Sequence, residues 1–320
     1  MFSGMKTFTV VDPGDCRQMS GKEPHPPLRP AASVSQPPYW RTLLVLGRGS
    51  NLPTVWSNCL VGWLLADGGF GDQLIVLCAG ASCLYLGGMF LNDAFDADFD
   101  RQHRPARPIP SGAISLHAVW EWGLCWLLLG LTLLSTLGTV TALLAAFLAI
   151  AILIYDAVHK IFAFAPVLMG LCRFFLVVLA ASTGFDGVTG LSIWSGLALA
   201  AYVAGLSFLA RKESLRWQVE FWPCLLMAAP LVLALIINRD PPWAWRGLLL
   251  SALLAVWILR SLGFAYWSPQ PSVGRAAAGL LAGIVLVDLL AYGGASLGLS
   301  LVFLGLFLLA WISQQLVPAT

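Results

Sequence analysis

From about residue 50 onward the chain is a succession of apolar stretches, each close to the roughly 20 residues an α-helix needs to cross a bilayer. Divided at glycine, proline and charged residues, they have approximate limits 50–66, 72–91, 117–136, 138–155, 162–183, 191–209, 219–237, 244–262, 274–293 and 295–315. The last two are parted only by Gly293, Gly294 and small neighbours, and read either as two spans or as one re-entrant hairpin. In hydrocarbon every backbone polar group has to be satisfied internally, so such stretches fold as helices. The expected fold is all-α: a polytopic membrane bundle of nine or ten transmembrane helices.

Composition supports this. Hydrophobic residues make up 58% of the 320 positions and charged residues 11%, where a soluble domain carries about 25% charge. Mean hydropathy is +0.80. These values exclude a soluble enzyme, a nucleic-acid-binding module and a disordered chain. A net charge of +2 is too small to imply a polyanionic partner. Residues 1–40 differ: GKEPHPPLRPAASVSQPPYWR is Pro-rich, polar and aperiodic, which predicts a disordered tail ahead of a membrane domain over 41–320. The tail lacks the basic stretch and apolar core of a signal peptide.

Lysine and arginine bias in short loops sets orientation. With the tail cytoplasmic, Arg101, Arg104, Arg107, Lys160, Arg211, Lys212, Arg216, Arg260 and Arg275 fall on that side, and the opposite loops carry Arg239 and Arg246. An integral multi-pass protein of a bacterial inner membrane or its equivalent is expected, with the Asp-rich loop and N-terminus cytoplasmic. The seven cysteines form no CxxC pair and read as unpaired apolar packing. The four histidines lack metal-ligand spacing.

The densest polar constellation closes the second apolar stretch: NDAFDADFDRQHRPARPIPSG. If the helix continues to Asp100, then Asp93, Asp96 and Asp100 share one face while Asp98 points elsewhere. Three carboxylates on one face repel unless they share cations. Oxygen ligands of this kind suit Mg²⁺, which binds through one or two carboxylates, waters and substrate phosphates. Arg101, His103, Arg104 and Arg107 follow at once and suit phosphate oxygens. A metal-bridged diphosphate is the economical reading, against a solvated acidic helix end followed by a positive-inside loop.

NDxxDxxxD followed by RPxRPxPSG resembles the first signature of the UbiA superfamily of intramembrane prenyltransferases. It is matched by Asn92, Asp93, Asp96 and Asp100, then by Arg104, Pro105, Arg107, Pro108, Pro110, Ser111 and Gly112. RGSNLPTVWSNCLVGWLLA, with Arg48, Asn51, Asn58 and Gly62, is similar to the family's opening helix. YDAVHK, with Tyr155 and Lys160, stands where the family has a Tyr-x-x-x-Lys-type stretch. The likeness covers roughly residues 41–260. It implies about nine spans around a central cavity open laterally to lipid, with a diphosphate site under a cytosolic cap. It also implies an allylic prenyl diphosphate and a hydrophobic acceptor as substrates, with Mg²⁺ held by Asn92, Asp93, Asp96 and Asp100. Asn51, Asn58, Arg104, Arg107, Tyr155 and Arg173 would bind substrate.

One departure matters. Where the family carries a second acidic motif, DxxxD, this chain reads SFLARKESLRWQ. A second Mg²⁺ cannot be built there. Arg211 and Lys212, with Lys160, are read as neutralising the departing diphosphate in its place, or else as ordinary positive-inside residues. Glu213 is the candidate base. The stretch with Pro166, Met169, Gly170, Cys172 and Arg173 also resembles the EboC-like branch of the superfamily. That resemblance leaves an alternative to prenyl transfer onto an aromatic, porphyrin or polyol-phosphate acceptor: a non-catalytic carrier of a lipid-like metabolite.

Other charges within apolar stretches need partners. Arg173 is expected to meet Asp156 or the diphosphate itself, and Asp288 and Glu121 to anchor helix–helix hydrogen bonds. Phe95 and Phe174 are candidates to face an allylic cation through their rings.

Overall fold

The computed structural model of the protein describes residues 38–68, 71–215, 221–238 and 241–316. The expected tail over 1–40 falls almost wholly outside them. Among the described residues the chain is helical throughout: α1 (Tyr39–Leu46), α2 (Leu52–Leu64), α3 (Asp72–Phe95), α4 (Ala97–His103), α5 (Leu116–Ser135), α6 (Thr139–Val158) and α7 (Ala165–Ala181). There follow α8 (Gly190–Leu215), α9 (Trp222–Met227), α10 (Ala229–Ile237), α11 (Pro241–Tyr266), α12 (Val273–Ala291) and α13 (Leu297–Leu316). Seven of these are long and apolar enough to cross a membrane, and Ala165–Ala181 and Trp222–Ile237 are shorter apolar helices. The segment 50–66 yields only the 13-residue α2 behind a 3₁₀ turn at Gly49–Asn51. The last two apolar stretches form two separate helices, α12 and α13.

Outward faces are apolar. On α6, Val140, Leu143, Phe147, Ile150 and Ile154 are all exposed and recur at helical spacing, a stripe that only lipid covers at low cost. The helix α12 is the central one: 67% of its apolar window is buried, against 17% for α13. The step between α9 and α10 has a local cause. Pro230 lies in the first turn of α10, lacks an amide proton, and cannot continue the ladder from α9.

The helix that carries the acidic motif is fixed by its packing on α5. Gly80 and Gly87 on α3 face Gly130 and Gly123 on α5 at two-turn spacing. A Cβ on Gly87 would lie 2.8 Å from the Leu127 amide nitrogen, and one on Gly130 would lie 2.8 Å from the Gly80 carbonyl oxygen. Small residues at such a seam let backbones meet and gain dispersion where no hydrophobic effect operates between helices.

Candidate active site

The motif lies where α3 ends. The helix is interrupted at Asp96 rather than running unbroken to Asp100. Even so, Asp96 keeps helical dihedrals, and the Asp96 and Asp100 amides still donate to the Asn92 and Asp96 carbonyls at 3.0 and 2.9 Å. Asn92, Asp93, Asp96 and Asp100 are therefore all buried on one side. Asp98 is 89% exposed and, among the described residues, pairs only with Arg101, as its position on the helix predicts.

The proline-rich segment after α4 folds back in successive turns. The amides of Arg107, Ser111, Gly112 and Ala113 donate to the carbonyls of Arg104, Arg107, Ile109 and Pro108. Gly112 takes φ +76°, where a side chain would be strained. Ile109 and Ile114 anchor the segment in a small core with Leu46, Phe90, Ala94, Ala97 and Val119. This fold-back carries the Arg107 guanidinium to 2.9 Å from Asp93 Oδ1 and its Nε to 4.0 Å from Asp100 Oδ2. Arg104 is exposed and makes no ion pair among the described residues.

Two further segments close the cluster. At the end of α6, Lys160 Nζ lies 2.8 Å and His159 Nε2 3.3 Å from Asp96 Oδ1. Lys160 also sits over the Phe99 ring, 3.7 Å from its centroid. Ahead of α2, Arg48 donates to Asn92 Oδ1 at 3.3 Å and to Asp93 Oδ1 at 3.2 Å. Asn92 in turn donates to Asp156 at 3.0 Å. Burial disfavours the charged form of Asp96, but the hydrogen bonds and charge of His159 and Lys160 prevail and hold its carboxyl below the usual aspartate range. For Asp100 burial wins: opposed by Arg107 and reinforced by the Asp96 carboxylate, it pushes the carboxyl up.

Arg173 corrects an expectation. Its guanidinium reaches neither Asp156 nor the motif, and donates to Asn58 Oδ1 at 2.7 Å and Thr54 Oγ1 at 3.0 Å. Asn58 donates to Asp288 at 2.7 Å, joined there by Ser57 at 2.5 Å. A buried polar relay thus ties α2, α7 and α12 together, and Asp288 is the interhelical anchor expected of it. Glu121 is not one: it pairs with His117 on an exposed face of α5. Asn51 accepts from Gln314 on α13. Tyr155 stacks on His159 with centroids 5.2 Å apart, and Phe95 meets Trp120 edge-on at 4.9 Å. Arg211 donates to the Phe162 and Ala163 carbonyls at 2.5 and 3.3 Å, beside the Lys160 turn. The side chains of Lys212 and Glu213 lie outside the described residues.

Sequence reasoning placed the acidic face and missed Arg48 and His159 as its partners. Arg48 adopts φ 41°, ψ 50°, a left-handed conformation uncommon without glycine. No residue-type signal announces that geometry.

Carboxylates suit a hard divalent ion, and Asp100 Oδ1 is buried without a hydrogen-bond partner among the described residues. Among the described residues no three His, Cys, Asp or Glu side chains converge as a closed metal site. The donor set therefore fits Mg²⁺ shared with phosphate oxygens and water rather than an all-protein cage.

Fold and site define a polytopic membrane protein with a buried acid–base cluster at one end of its helices. A profile of the UbiA prenyltransferase family matches residues 55–267, from α2 to the end of α11. The chain belongs to that family and is an integral multi-pass membrane protein. It is 35% identical over 91 residues to the digeranylgeranylglyceryl phosphate synthase of Methanoregula boonei, covering 28% of this chain and 33% of that protein. The enzyme of the same name from Methanoculleus marisnigri is 33% identical over 112 residues, or 35% of this chain and 40% of that one. The chain thus spans about a third to two fifths of the length of these curated relatives. A UbiA homologue from Aeropyrum pernix K1 shares the fold at TM-score 0.60 and 18% identity, over 78% of this chain and 96% of that one. A UbiA homologue from Archaeoglobus fulgidus bound to DMAPP and Mg²⁺ does so at TM-score 0.53 and 17% identity, over 77% and 99%.

Proposed function

We propose that the protein transfers a prenyl group from an allylic diphosphate to a hydrophobic acceptor, releasing diphosphate, with the charged end of the bundle facing the cytoplasm. The observation that carries this reading is the cluster itself. Asp93, Asp96 and Asp100 lie on one side of a buried helix end, with Arg48, Arg107, His159 and Lys160 within 4.0 Å of them. The Archaeoglobus homologue bound to DMAPP and Mg²⁺ supports the same substrate class and the same ion.

Asp93, Asp96 and Asp100, with Asn92, would hold Mg²⁺, which supplies charge neutralisation at the diphosphate oxygens. Arg104, Arg107, Lys160 and Arg48 bind and orient the diphosphate. As the allylic C–O bond breaks, negative charge grows on the bridging oxygen, and cations already aimed there act mainly on the transition state. The apolar helices exclude water, so the acceptor rather than water captures the allylic cation. Asn51, Asn58, Tyr155 and Arg173 line the α2, α6 and α7 side of the bundle, and Arg173 acts there by fixing Asn58. Arg211 and Lys212 supplement the positive charge where a second acidic motif is missing, and Glu213 is the proposed base for the acceptor proton. Among aromatic, porphyrin and polyol-phosphate acceptors, the curated relatives' name favours a glyceryl phosphate.

The test is diphosphate release by nanodisc-embedded protein given geranyl to geranylgeranyl diphosphate, Mg²⁺ and a membrane extract. Release is expected to require Mg²⁺ and to vanish in Asp93→Asn/Asp96→Asn, and mass spectrometry of the extract names the acceptor. Mg²⁺-dependent binding without release would leave a carrier instead.

A further inference from the structure

Each carboxylate of the acidic motif already has a basic partner. Asp93 meets Arg48 and Arg107 at 3.2 and 2.9 Å, Asp96 meets Lys160 and His159 at 2.8 and 3.3 Å, and Asp100 lies 4.0 Å from Arg107. These partners are the same side chains that the proposed reaction requires for the diphosphate. We infer that divalent ion and diphosphate bind as one linked event, in which Arg107 and Lys160 pass from Asp93 and Asp96 to phosphate oxygens as the ion takes the carboxylates. Neither ligand then binds well alone. The inference rests on the function proposed above.

The argument is one of partner exchange. An ion arriving alone has to displace a guanidinium or ammonium that has no anion to receive it, and a partly buried charge stripped of its partner is costly. A diphosphate arriving alone has to strip the same groups from Asp93 and Asp96, leaving buried carboxylates bare. When both arrive, every charge that loses a partner gains another.

The two sides of these pairs differ in exposure. The Lys160 and Arg107 side chains are 33% and 19% exposed, and those of Asp93 and Asp96 are 6% and 10%. The cations therefore sit at the outer edge and the carboxylates beneath them. Lys160 keeps its seat over the Phe99 ring, which accommodates an ammonium with either anion. Arg104, exposed and without an ion pair among the described residues, is the group free to meet a diphosphate first. Asp100 Oδ1, buried and without a hydrogen-bond partner among the described residues, is the oxygen that needs no exchange.

Manganese(II) is the probe, titrated into the full chain in phosphatidylcholine nanodiscs, with free ion followed by electron paramagnetic resonance. Wild-type protein is expected to leave manganese free when it is added alone and to retain it when pyrophosphate is added. The references are Asp93→Asn/Asp96→Asn and empty nanodiscs given the same manganese and pyrophosphate, which chelate each other in solution. Lys160→Met and Arg107→Gln should bind manganese alone at least about tenfold more tightly than wild type, since the competing cation is gone. The same variants should retain the manganese–pyrophosphate pair about tenfold less well. The wild-type comparison stands even where a variant fails to fold. Manganese bound by wild type alone as tightly as with pyrophosphate would overturn the linkage and leave the proposed function intact. No retention even with pyrophosphate would overturn both.

Discussion

The Tyr85 hydroxyl donates to the backbone carbonyl of Arg48 at 3.1 Å. Arg48 is held in a left-handed conformation that costs about 1–2 kcal/mol for a residue with a Cβ. Helix α3 thereby grips the strained residue from its own middle while Arg48 reaches forward to Asn92 and Asp93 near the same helix's end. Strain of this kind persists where the surroundings over-determine it. Tyr85→Phe should lower unfolding stability by about 1 kcal/mol and weaken diphosphate binding severalfold, as read by thermal shift and by isothermal titration on one preparation. Unchanged binding alongside lowered stability would show that the Tyr85 contact does not aim Arg48.

Position within the acidic stretch separates ligands from bystanders. Asp98→Asn removes a solvent-exposed pair with Arg101 worth no more than about 1 kcal/mol, and diphosphate release should stay within about twofold of wild type. Asp96→Asn removes a carboxylate held by Lys160 and His159, and release should fall by about a hundredfold. Parallel steady-state assays check both, and equal effects would mean that the helical face does not define the site.

The Arg173–Asn58–Asp288 relay is a buried network whose members cannot be removed singly without penalty. Arg173→Met should destabilise the protein by about 3 kcal/mol because the buried Asn58 and Thr54 oxygens lose their donor and the relay to Asp288 loses its cation. Arg173→Met/Asp288→Leu should cost less than the sum of the two single changes. A double-mutant cycle in urea or by thermal melting reads the difference, and simple additivity would show that the two charges are energetically independent.

At the seam between α3 and α5, Gly87→Val places branched carbon against the Leu127 amide. Overpacking of this kind costs about 1–3 kcal/mol. The midpoint of thermal unfolding should fall, and manganese–pyrophosphate retention should weaken with it because α3 positions the carboxylates. A lowered midpoint with full retention would argue that the end of α3 holds its geometry independently of the seam.

Much of this was legible in the sequence because it obeys short-range rules. Every apolar stretch yields a helix, and Asp93, Asp96 and Asp100 share a face because their spacing follows the helical period. Longer-range relationships were not legible. Arg173 finds Asn58 across 115 residues and Asn58 finds Asp288 across 230, so neighbouring charges offered the wrong partner, Asp156. Arg48 contributes through a backbone conformation that its residue type disfavours. The break before Pro230 falls inside a stretch whose hydropathy is continuous, and hydropathy does not register a missing hydrogen bond.

The glycine seam also divides the site mechanically. With backbones in contact at Gly80, Gly87, Gly123 and Gly130, any roll of α3 against α5 would have to break close packing, and the carboxylates at and just beyond its end form the jaw that the bundle braces. The opposing jaw is built from turns: the Arg104–Ala113 fold-back, the Lys160 corner after α6, and the strained bend at Arg48. Any motion that admits a substrate headgroup is borne by that basic, turn-built side, while the acidic side stays where the bundle has set it.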